Sequence, residues 1–297
     1  MSYSDILVTV IIPCYNTHIH LDKCLDSLSN QKFKKFEILI IDDGSNNFET
    51  LSFLDNLSQP NIRLIKQANK GLANARNTGI LNARGKFILP LDTDDWVDDD
   101  YIGSMYKAIS KNYDEDSFVY SDTVLEGLQK GLIKNNYNFF EQLFSNQIPY
   151  SIMFPKKIAF EICGYDENML YGYEDWEFNL RLYKSNCKPI KIAESKFHYR
   201  VDKKGMLLSK SKKIHTILWN YIILKNQNLY NFNNFINLWK EWGKKKSRYP
   251  MIFYLIWFYI FRFFPAKLAN VVFSFFISIS YSKRVNLKSI INKKIQI

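Results

Sequence analysis

Short apolar runs of strand length alternate with segments of helical spacing through the first hundred residues. Four such runs are present, at residues 6–12, 36–41, 62–65 and 86–91. Between the first two, Leu21, Leu25 and Leu28 recur at the spacing of one helix face. Runs of this length indicate strands buried on both faces, and their alternation with helices predicts a mostly parallel sheet in an α/β fold.

Polar clusters follow three of the four runs. Residues 13–16 read PCYN, residues 42–45 read DDGS and residues 92–95 read DTDD. Open parallel sheets bind ligands beyond the carboxyl ends of their strands. The sequence therefore predicts that these clusters meet at one edge of the sheet and form a binding site.

The third cluster places three carboxylates, of Asp92, Asp94 and Asp95, within four residues. Like charges at a strand end repel one another, and a divalent cation that carries a diphosphate would relieve the repulsion. Hard cations such as Mg²⁺ and Mn²⁺ prefer oxygen ligands. A solvated acidic turn is the alternative for this pattern alone.

The helix and strand pattern is weaker after residue 100. We predict a helix over 101–111, strands over 117–120 and 151–154, and a helix from Pro155 to Ile162. A loop at 171–173 leads into Glu174 and Asp175, after which a helical pattern resumes. The segment 121–150 carries few turn signals, so no element is predicted there.

Charge divides the chain near residue 202. From Lys203 onward, 15 Lys and 3 Arg stand against one acid, Glu241, a formal charge of +17, whereas residues 1–202 hold 22 basic and 28 acidic residues, or −6. We predict domains at 1–202 and 203–297.

The four cysteines lack metal-ligand spacing and fit a reduced, cytosolic compartment, and no secretory signal is expected.

The basic region also carries an apolar run of 11 residues at 251–261 and a second apolar segment at 268–281. As a helix the first run is about 16 Å long, short of the roughly 30 Å of a membrane core. With lysines at 244–246, it predicts helices lying on the anionic cytoplasmic face of the membrane, a peripheral (monotopic) location. Alternatives are a helical subdomain that buries these residues against itself or a second protomer, as a homo-oligomer, and a hairpin or tilted span.

Five motifs together resemble family 2 glycosyltransferases over roughly residues 6–200. They are VIIPCYN at 10–16, IDDGS at 41–45, NKGLANARN at 69–77, LDTDD at 91–95 and GYEDW at 172–176. The resemblance implies a GT-A fold, which is Rossmann-like, and the C-terminal helical region predicted above would be added to it. It also implies a nucleotide-sugar donor, a divalent metal (Mn²⁺ or Mg²⁺) and inversion at the anomeric carbon.

The resemblance assigns nucleotide binding to seven residues. Pro13, Tyr15 and Asn16 would form a turn against the base, with Tyr15 along the ring, and Asp43 would accept the N3–H of uracil. Asp42 would instead cap the next helix, although these two roles are easily exchanged. The remaining assignments are Asn69 and Arg76 near a helix start, Arg76 serving the diphosphate or pairing with an acid, and Asp92 at the ribose.

The metal is assigned to Asp94, with His198 as a further ligand that would suit Mn²⁺. Asp95 would orient Asp94 or contact the donor sugar. Arg200 and Lys203 would belong to a mobile loop that closes over the diphosphate and offsets its leaving charge.

Glu174 and Asp175 are the predicted catalytic pair. Inversion by direct displacement needs one base for the acceptor hydroxyl, and we assign Asp175 to it, with Glu174 orienting it or gripping an acceptor hydroxyl. Trp176 would offer a face to a sugar ring, or would be a core tryptophan.

These assignments predict a metal-dependent enzyme that moves a sugar from a nucleotide sugar, UDP-linked in our prediction, to a hydroxyl of a lipid-linked acceptor glycan. Bacterial surface polysaccharide (LPS, capsule or exopolysaccharide) is the expected product. A polyprenyl phosphate acceptor is the enzymatic alternative and needs no base. A basic nucleic-acid-binding protein is the alternative from another class, and the apolar runs between the lysines argue against it.

Overall fold

The computed structural model describes residues 6–57, 59–111, 116–202, 211–243, 247 and 249–263. The chain divides into two compact units. The first comprises the residues up to Thr123 with Ile148–Leu170 and Glu174–Arg200, and the second comprises Val124–Gln147, Tyr171–Tyr173 and the residues from Val201 onward.

The strands are, in chain order, β1 (Val8–Cys14), β2 (Phe36–Asp42), β3 (Ile62–Lys66), β4 (Phe87–Pro90), β5 (Trp96–Val97), β6 (Ser117–Tyr120), β7 (Thr123–Gly127), β8 (Gly131–Ile133), β9 (Phe154–Pro155), β10 (Lys188–Lys191) and β11 (Phe197–Val201). The α-helices are α1 (Leu21–Ser29), α2 (Phe48–Asp55), α3 (Leu72–Asn82), α4 (Tyr101–Lys111), α5 (Phe139–Gln142), α6 (Lys156–Glu161), α7 (Glu174–Lys184), α8 (His215–Lys225), α9 (Phe232–Leu238) and α10 (Met251–Phe263). A 3₁₀ turn at Ser211–Ile214 precedes α8, and a π turn at Trp239–Gly243 follows α9.

A five-stranded sheet in the order β3-β2-β1-β4-β9 forms the centre of the first unit. The first four strands are parallel, and β9 pairs antiparallel with β4. Every residue of β1 and β2 is buried, as continuous apolar runs require when helices cover both faces of a sheet. The predicted α/β fold with a mostly parallel sheet is confirmed.

Strand β1 extends past Pro13 to Cys14, beyond the apolar run at 6–12. The carbonyl of Ile11 accepts the amide of Leu91 on the β4 side, and the carbonyl of Cys14 accepts that of Asp43 on the β2 side. By this alternation Pro13 faces the β4 side, beyond Pro90, the last residue of that strand. A proline can be accommodated there because no ladder hydrogen bond needs its missing N–H.

Aromatic side chains form the core of the second unit. The ring of Phe140, on α5, lies 5.0–5.1 Å from those of Phe235, Trp239 and Tyr254, and the Tyr254 hydroxyl donates to Glu141 at 2.6 Å. The C-terminal part of this unit begins at Val201, next to the predicted division at residue 202, but the predicted first domain, 1–202, is not one unit. Residues 124–147 belong to the second unit because α5 supplies part of its core, a contribution that no sequence periodicity marked.

Helix α10 contains the apolar run at 251–261 and has two different faces. Tyr254 and Trp257 are buried in the second unit, whereas Ile252, Ile256 and Tyr259 are exposed. The buried face of the run packs within the second unit, as the helical-subdomain alternative predicts, and the other face is exposed. None of the helices in the described ranges has the length and apolar character needed to cross a membrane, and the segment 268–281 lies outside those ranges.

Candidate active site

The polar clusters after β1, β2 and β4 meet at the carboxyl edge of the sheet, as predicted. The amide of Asn16 donates to the Ser45 hydroxyl at 3.0 Å, which joins the first two clusters. The Thr93 hydroxyl donates at 3.0 Å to that of Thr17, the residue that follows the first cluster, which places the third cluster beside the first. One polar rim therefore forms from three segments distant in sequence.

Tyr15 and Asn16 differ in how open they are to a ligand. Tyr15 is 46% exposed, so its ring is accessible to a planar partner. Asn16 has a left-handed backbone (φ 53°), and its side-chain oxygen accepts the amides of Asn46 and Asn47. The side chain of Asn16 therefore shapes the rim.

Asp43 is buried, and its carboxylate organises the loop before α3. It accepts the amides of Lys70 and Gly71, at 2.9 and 2.8 Å, and the side-chain amide of Gln67 at 2.7 Å. Gly71 has φ 91°, a conformation suited to glycine, and Asn69 in the same loop is exposed. These hydrogen bonds give a structural reason for a carboxylate at this position. The role of Asp43 toward uracil remains a prediction.

Asp42 does not cap the next helix, contrary to our expectation. Its carboxylate accepts the amide of Ser45 at 2.9 Å within the turn. Asn47 is the N-cap of α2, and its side chain accepts the amide of Thr50. Asparagine serves this purpose as well as aspartate does.

Arg76 lies in α3 at the centre of the site and is only 1% exposed. Its guanidinium donates to Glu174 at 2.7 Å and to Asp92 at 2.8 Å, and packs over the rings of Tyr150 and Tyr165. Burial alone would lower the pKa of Arg76, but the two carboxylates hold it well above its ordinary value. Of its two predicted roles, the structure shows the pairing with acids.

Asp95 is completely buried, and this changes its predicted role. Its two oxygens accept the Tyr150 hydroxyl at 2.5 Å and the Arg200 amide at 2.7 Å. Burial, and then the charges of Asp94 and Asp92, raise its pKa well above the ordinary value. Asp95 therefore braces the acidic loop from below, and neither of its oxygens is open to a donor sugar.

Tyr150 completes this brace. Its oxygen accepts the amide of Asp92 at 2.8 Å while its hydroxyl donates to Asp95. The backbone of the acidic loop is thus fixed from a residue more than 50 positions away in sequence. Asp92 and Asp94 stay partly exposed on the other side of the loop.

The donor set in the rim fits a metal shared with a phosphate ligand and does not fit an all-protein cage. Among the described residues, no three His, Cys, Asp or Glu side chains group closely enough to hold an ion. Mg²⁺ usually binds through one or two carboxylates together with substrate phosphates, and Asp92 and Asp94 offer such carboxylates.

His198 lies beside Asp98 and Trp96. Its Nε2 lies 2.8 Å from Asp98 Oδ1, and its ring stacks on Trp96 at 5.4 Å. The pairing of β11 with β5 puts His198 opposite Trp96, which directs its ring to the Trp96 and Asp98 side of β5. The structure therefore shows Asp98 as a partner of His198, and the assignment of His198 to the metal stays a prediction.

Arg200 belongs to β11 and not to the predicted mobile loop. Its amide is held by Asp95, and its side chain is half-buried. Lys203 lies outside the described residues. Of this predicted pair, only Arg200 lies in the described residues. Its backbone amide helps to hold Asp95, which supports the acidic loop.

Glu174 and Asp175 begin helix α7, where the helix dipole favours negative charge. Glu174 is buried and held by Arg76. Asp175 is half-buried, and its pKa is raised to about 7 by desolvation and by the adjacent Glu174 charge, which together outweigh the opposing effect of Arg76. A carboxylate with this pKa can accept a proton near neutral pH.

Trp176 is 3% exposed, so it is a core residue and cannot present a face to a sugar. Conversely, three tyrosines of the site were not predicted: Tyr150, Tyr165 and Tyr199. Burial raises the pKa of each, and all three lie close enough to the Asp92 carboxylate for its charge to raise the pKa further. An alternating strand pattern at 197–201 was the one signal that could have indicated Tyr199.

Comparison with known proteins finds glycosyltransferases and glycan synthases among the relatives of this chain. Glycosyltransferase GlyA of Streptococcus pneumoniae serotype 4 is 29% identical over 223 residues, which is 68% of this chain and 32% of GlyA. Chondroitin synthase of Escherichia coli is 33% identical over 135 residues, 45% of this chain and 19% of the synthase. The chain thus spans a third or less of these two relatives.

Solved structures share the fold. The crystal structure of S. aureus TarS 1–349 in complex with UDP-GlcNAc superposes with a TM-score of 0.59 at 19% identity, and covers 74% of this chain and 67% of that one. The fold is accordingly α/β of the GT-A-like type. The family model described as "Glycosyl transferase family 2" matches residues 9–165, more than half of the sequence and including four of the five motifs. This chain belongs to glycosyl transferase family 2.

Proposed function

We propose that the protein is a metal-dependent, inverting glycosyltransferase that moves a sugar from a UDP-sugar to a hydroxyl of an acceptor glycan. The observation that carries the proposal is the buried bridge of Arg76 between Asp92, on the donor side, and Glu174, beside the base. TarS, which has the same fold, has been solved with UDP and with UDP-GlcNAc. The bridge links a nucleotide-binding loop to a proton acceptor in one rigid network.

Asp175 is the base in this proposal. Direct displacement forms the bond between the acceptor oxygen and the anomeric carbon as the bond to the diphosphate breaks. The proton of the acceptor hydroxyl passes to the Asp175 carboxylate, and the electron pair of the broken bond leaves with UDP. The pKa of about 7 favours a hydroxyl acceptor over a polyprenyl phosphate, because a phosphate already ionised at neutral pH needs no base.

Asp94, with the free face of Asp92, would hold the divalent metal. Once bound, the cation would neutralise the charge that develops on the departing diphosphate. Asp95 and Tyr150 keep the two carboxylates in place from the buried side of the loop. The side chain of Tyr15 is exposed and would cover the base, and Asp43 would meet its N3–H edge.

The acceptor is proposed to be a lipid-linked glycan of a bacterial surface polysaccharide. GlyA is named as a glycosyltransferase and the Escherichia coli relative as a chondroitin synthase, which supports a glycan acceptor. The exposed apolar side chains of α10, with the basic residues of the C-terminal region, support a location on the cytoplasmic face of the membrane. A lipid-linked acceptor would be presented at that surface.

A panel of nucleotide sugars tests the donor. With Mn²⁺ present, UDP-sugars are expected to raise the melting temperature of the protein and to be hydrolysed slowly, while GDP- and dTDP-sugars are not. Thermal shift and UDP release measure the two effects. Stabilisation by GDP-sugars alone would show that the role given to Asp43 is wrong.

The metal assignment predicts a strong effect of Asp94→Asn. We expect turnover of the UDP-sugar to fall by about 10²-fold or more, since removal of one stabilising group at a developing charge has this effect. Titration with Mn²⁺ should show a weakened activation constant. Asp99→Asn is the control, because Asp99 is exposed just beyond the acidic loop and is not assigned to the metal. Full turnover in excess chelator would contradict the assignment.

Membrane binding is predicted to depend on Ile252 and Ile256, which are exposed on α10 at a spacing of four. Replacing both with Lys should reduce flotation with phosphatidylglycerol vesicles by about tenfold or more, since inserted apolar area is lost. The control is Leu81→Lys, because Leu81 is an apolar residue on α3 of the first unit that is 65% exposed, against 61% and 48% for Ile252 and Ile256. Unchanged flotation, or a change from dimer to monomer on sizing, would favour the oligomer alternative.

A further inference from the structure

The turn at 171–173 immediately precedes the catalytic pair and has an unusual backbone. Gly172 has φ 101° and Tyr173 has φ 69°, and a bulky side chain seldom adopts the left-handed region. Such a conformation persists only where surrounding contacts hold it. Since Glu174 is the next residue, the direction in which α7 starts depends on this turn.

Two contacts within the second unit hold the turn. The hydroxyl of Tyr173 lies 2.9 Å from Nδ1 of His215, the first residue of α8. The hydroxyl of Ser211, in the 3₁₀ turn before α8, donates to the carbonyl of Tyr171 at 2.6 Å. Both ends of the turn are thus bound to a short stretch of the C-terminal region.

His215 is suited to accept a hydrogen bond from a tyrosine. It is completely buried and stacks on Trp219 with 6.1 Å between ring centroids. Desolvation lowers its pKa to about 3, so the ring is neutral at any working pH. A neutral imidazole can accept a hydrogen bond from the Tyr173 hydroxyl at Nδ1, whereas an imidazolium cannot.

We infer that His215 is a positioning residue that acts through Tyr173 to fix the start of α7 and with it the carboxylate of Asp175. This contact thereby affects catalysis by the proposed glycosyltransferase through the chain itself, because Tyr173 directly precedes Glu174. The kinetic effects expected from this inference rest on the proposed function. The structural effects expected from it rest on the turn geometry alone.

The test compares Tyr173→Phe, His215→Leu and His215→Asn. The first two remove the hydrogen bond, and the third keeps a side-chain oxygen near the position of Nδ1. We expect Tyr173→Phe and His215→Leu to lower kcat for UDP release from UDP-GlcNAc by about tenfold or more, because small displacements of a reacting group are costly. The Kd for UDP should stay within about twofold, since the donor site is untouched.

Three controls make the result specific. The double variant should be no slower than either single variant, because both remove the same bond. His215→Asn should recover most of the lost rate. Tyr230→Phe removes another buried tyrosine hydrogen bond of the same unit, to the carbonyl of Leu143, and should leave kcat unchanged.

Amide hydrogen exchange separates this inference from the proposed function. Exchange at residues 174–177 should increase in Tyr173→Phe and stay unchanged in Asp175→Asn, whatever the substrate proves to be. Absence of turnover in the wild-type protein with every nucleotide sugar would count against the proposed function alone. Wild-type rates and wild-type exchange in Tyr173→Phe, which leaves the protein core intact, would overturn the positioning role of His215.

Discussion

Asp175→Asn is expected to lower turnover of the donor by about 10²–10⁴-fold while leaving UDP affinity nearly unchanged. This is the range that a positioned general base contributes to a reaction. Asparagine keeps the size of the side chain and removes only its ability to take a proton. Single-turnover and UDP-binding measurements separate the two effects.

The pH dependence of the wild-type protein follows from the same group. Because the pKa of Asp175 is raised to about 7, the carboxylate is protonated and inactive at lower pH. Below about pH 6, kcat/KM should fall nearly tenfold per pH unit. Asp99→Asn, which removes an exposed carboxylate near the acidic loop, is the control and should keep both rate and pH profile.

The free energy of unfolding should change with pH in the opposite sense to kcat/KM. The folded pKa of Asp175 lies above its unfolded value of 3.8, so the folded state loses stability as pH rises from about 4 through 7. Asp175→Asn removes this loss, and the free energy of unfolding should increase by about 2 kcal/mol at pH 8, with allowance for partial exposure, and not at pH 4. Wild-type turnover in this variant would instead support the polyprenyl phosphate acceptor.

The parts of the site that sequence could predict are those defined by local pattern. The strand ends at Cys14, Asp42 and Pro90 follow from apolar runs, and parallel pairing brings them together without further information. Glu174 and Asp175 open a helix whose spacing was visible in sequence. For such features a motif and an element boundary are sufficient.

The parts that sequence could not predict depend on long-range contacts and on which face of an element a residue occupies. Tyr150 braces Asp92 and Asp95 from a segment without helical or strand periodicity. Trp176, next to Asp175, is buried because neighbours on a helix face different directions. The contact of His198 with Asp98 could not be predicted because it depends on the register of β11 against β5.

Arg76→Met should be the most destabilising single change in the site. Its removal leaves Glu174 buried without its cation, and breaking a buried ion pair from one side costs about 3–5 kcal/mol. Arg76→Lys should lose less stability but still lower kcat, because one ammonium cannot hold two carboxylates in the fixed geometry of a guanidinium. Urea unfolding and turnover per folded molecule measure these effects.

The pH profile shows whether this loss is catalytic or only structural. The Arg76 charge opposes the rise in the pKa of Asp175, so in Arg76→Met that pKa should increase further and the acid limb of kcat/KM should move above pH 7. Arg181→Met is the matched control, since Arg181 pairs with buried Glu177 on α7. It should lose comparable stability and keep its pH profile. An unshifted profile in Arg76→Met would mean that the bridge from Asp92 to Glu174 holds the fold together without tuning the base.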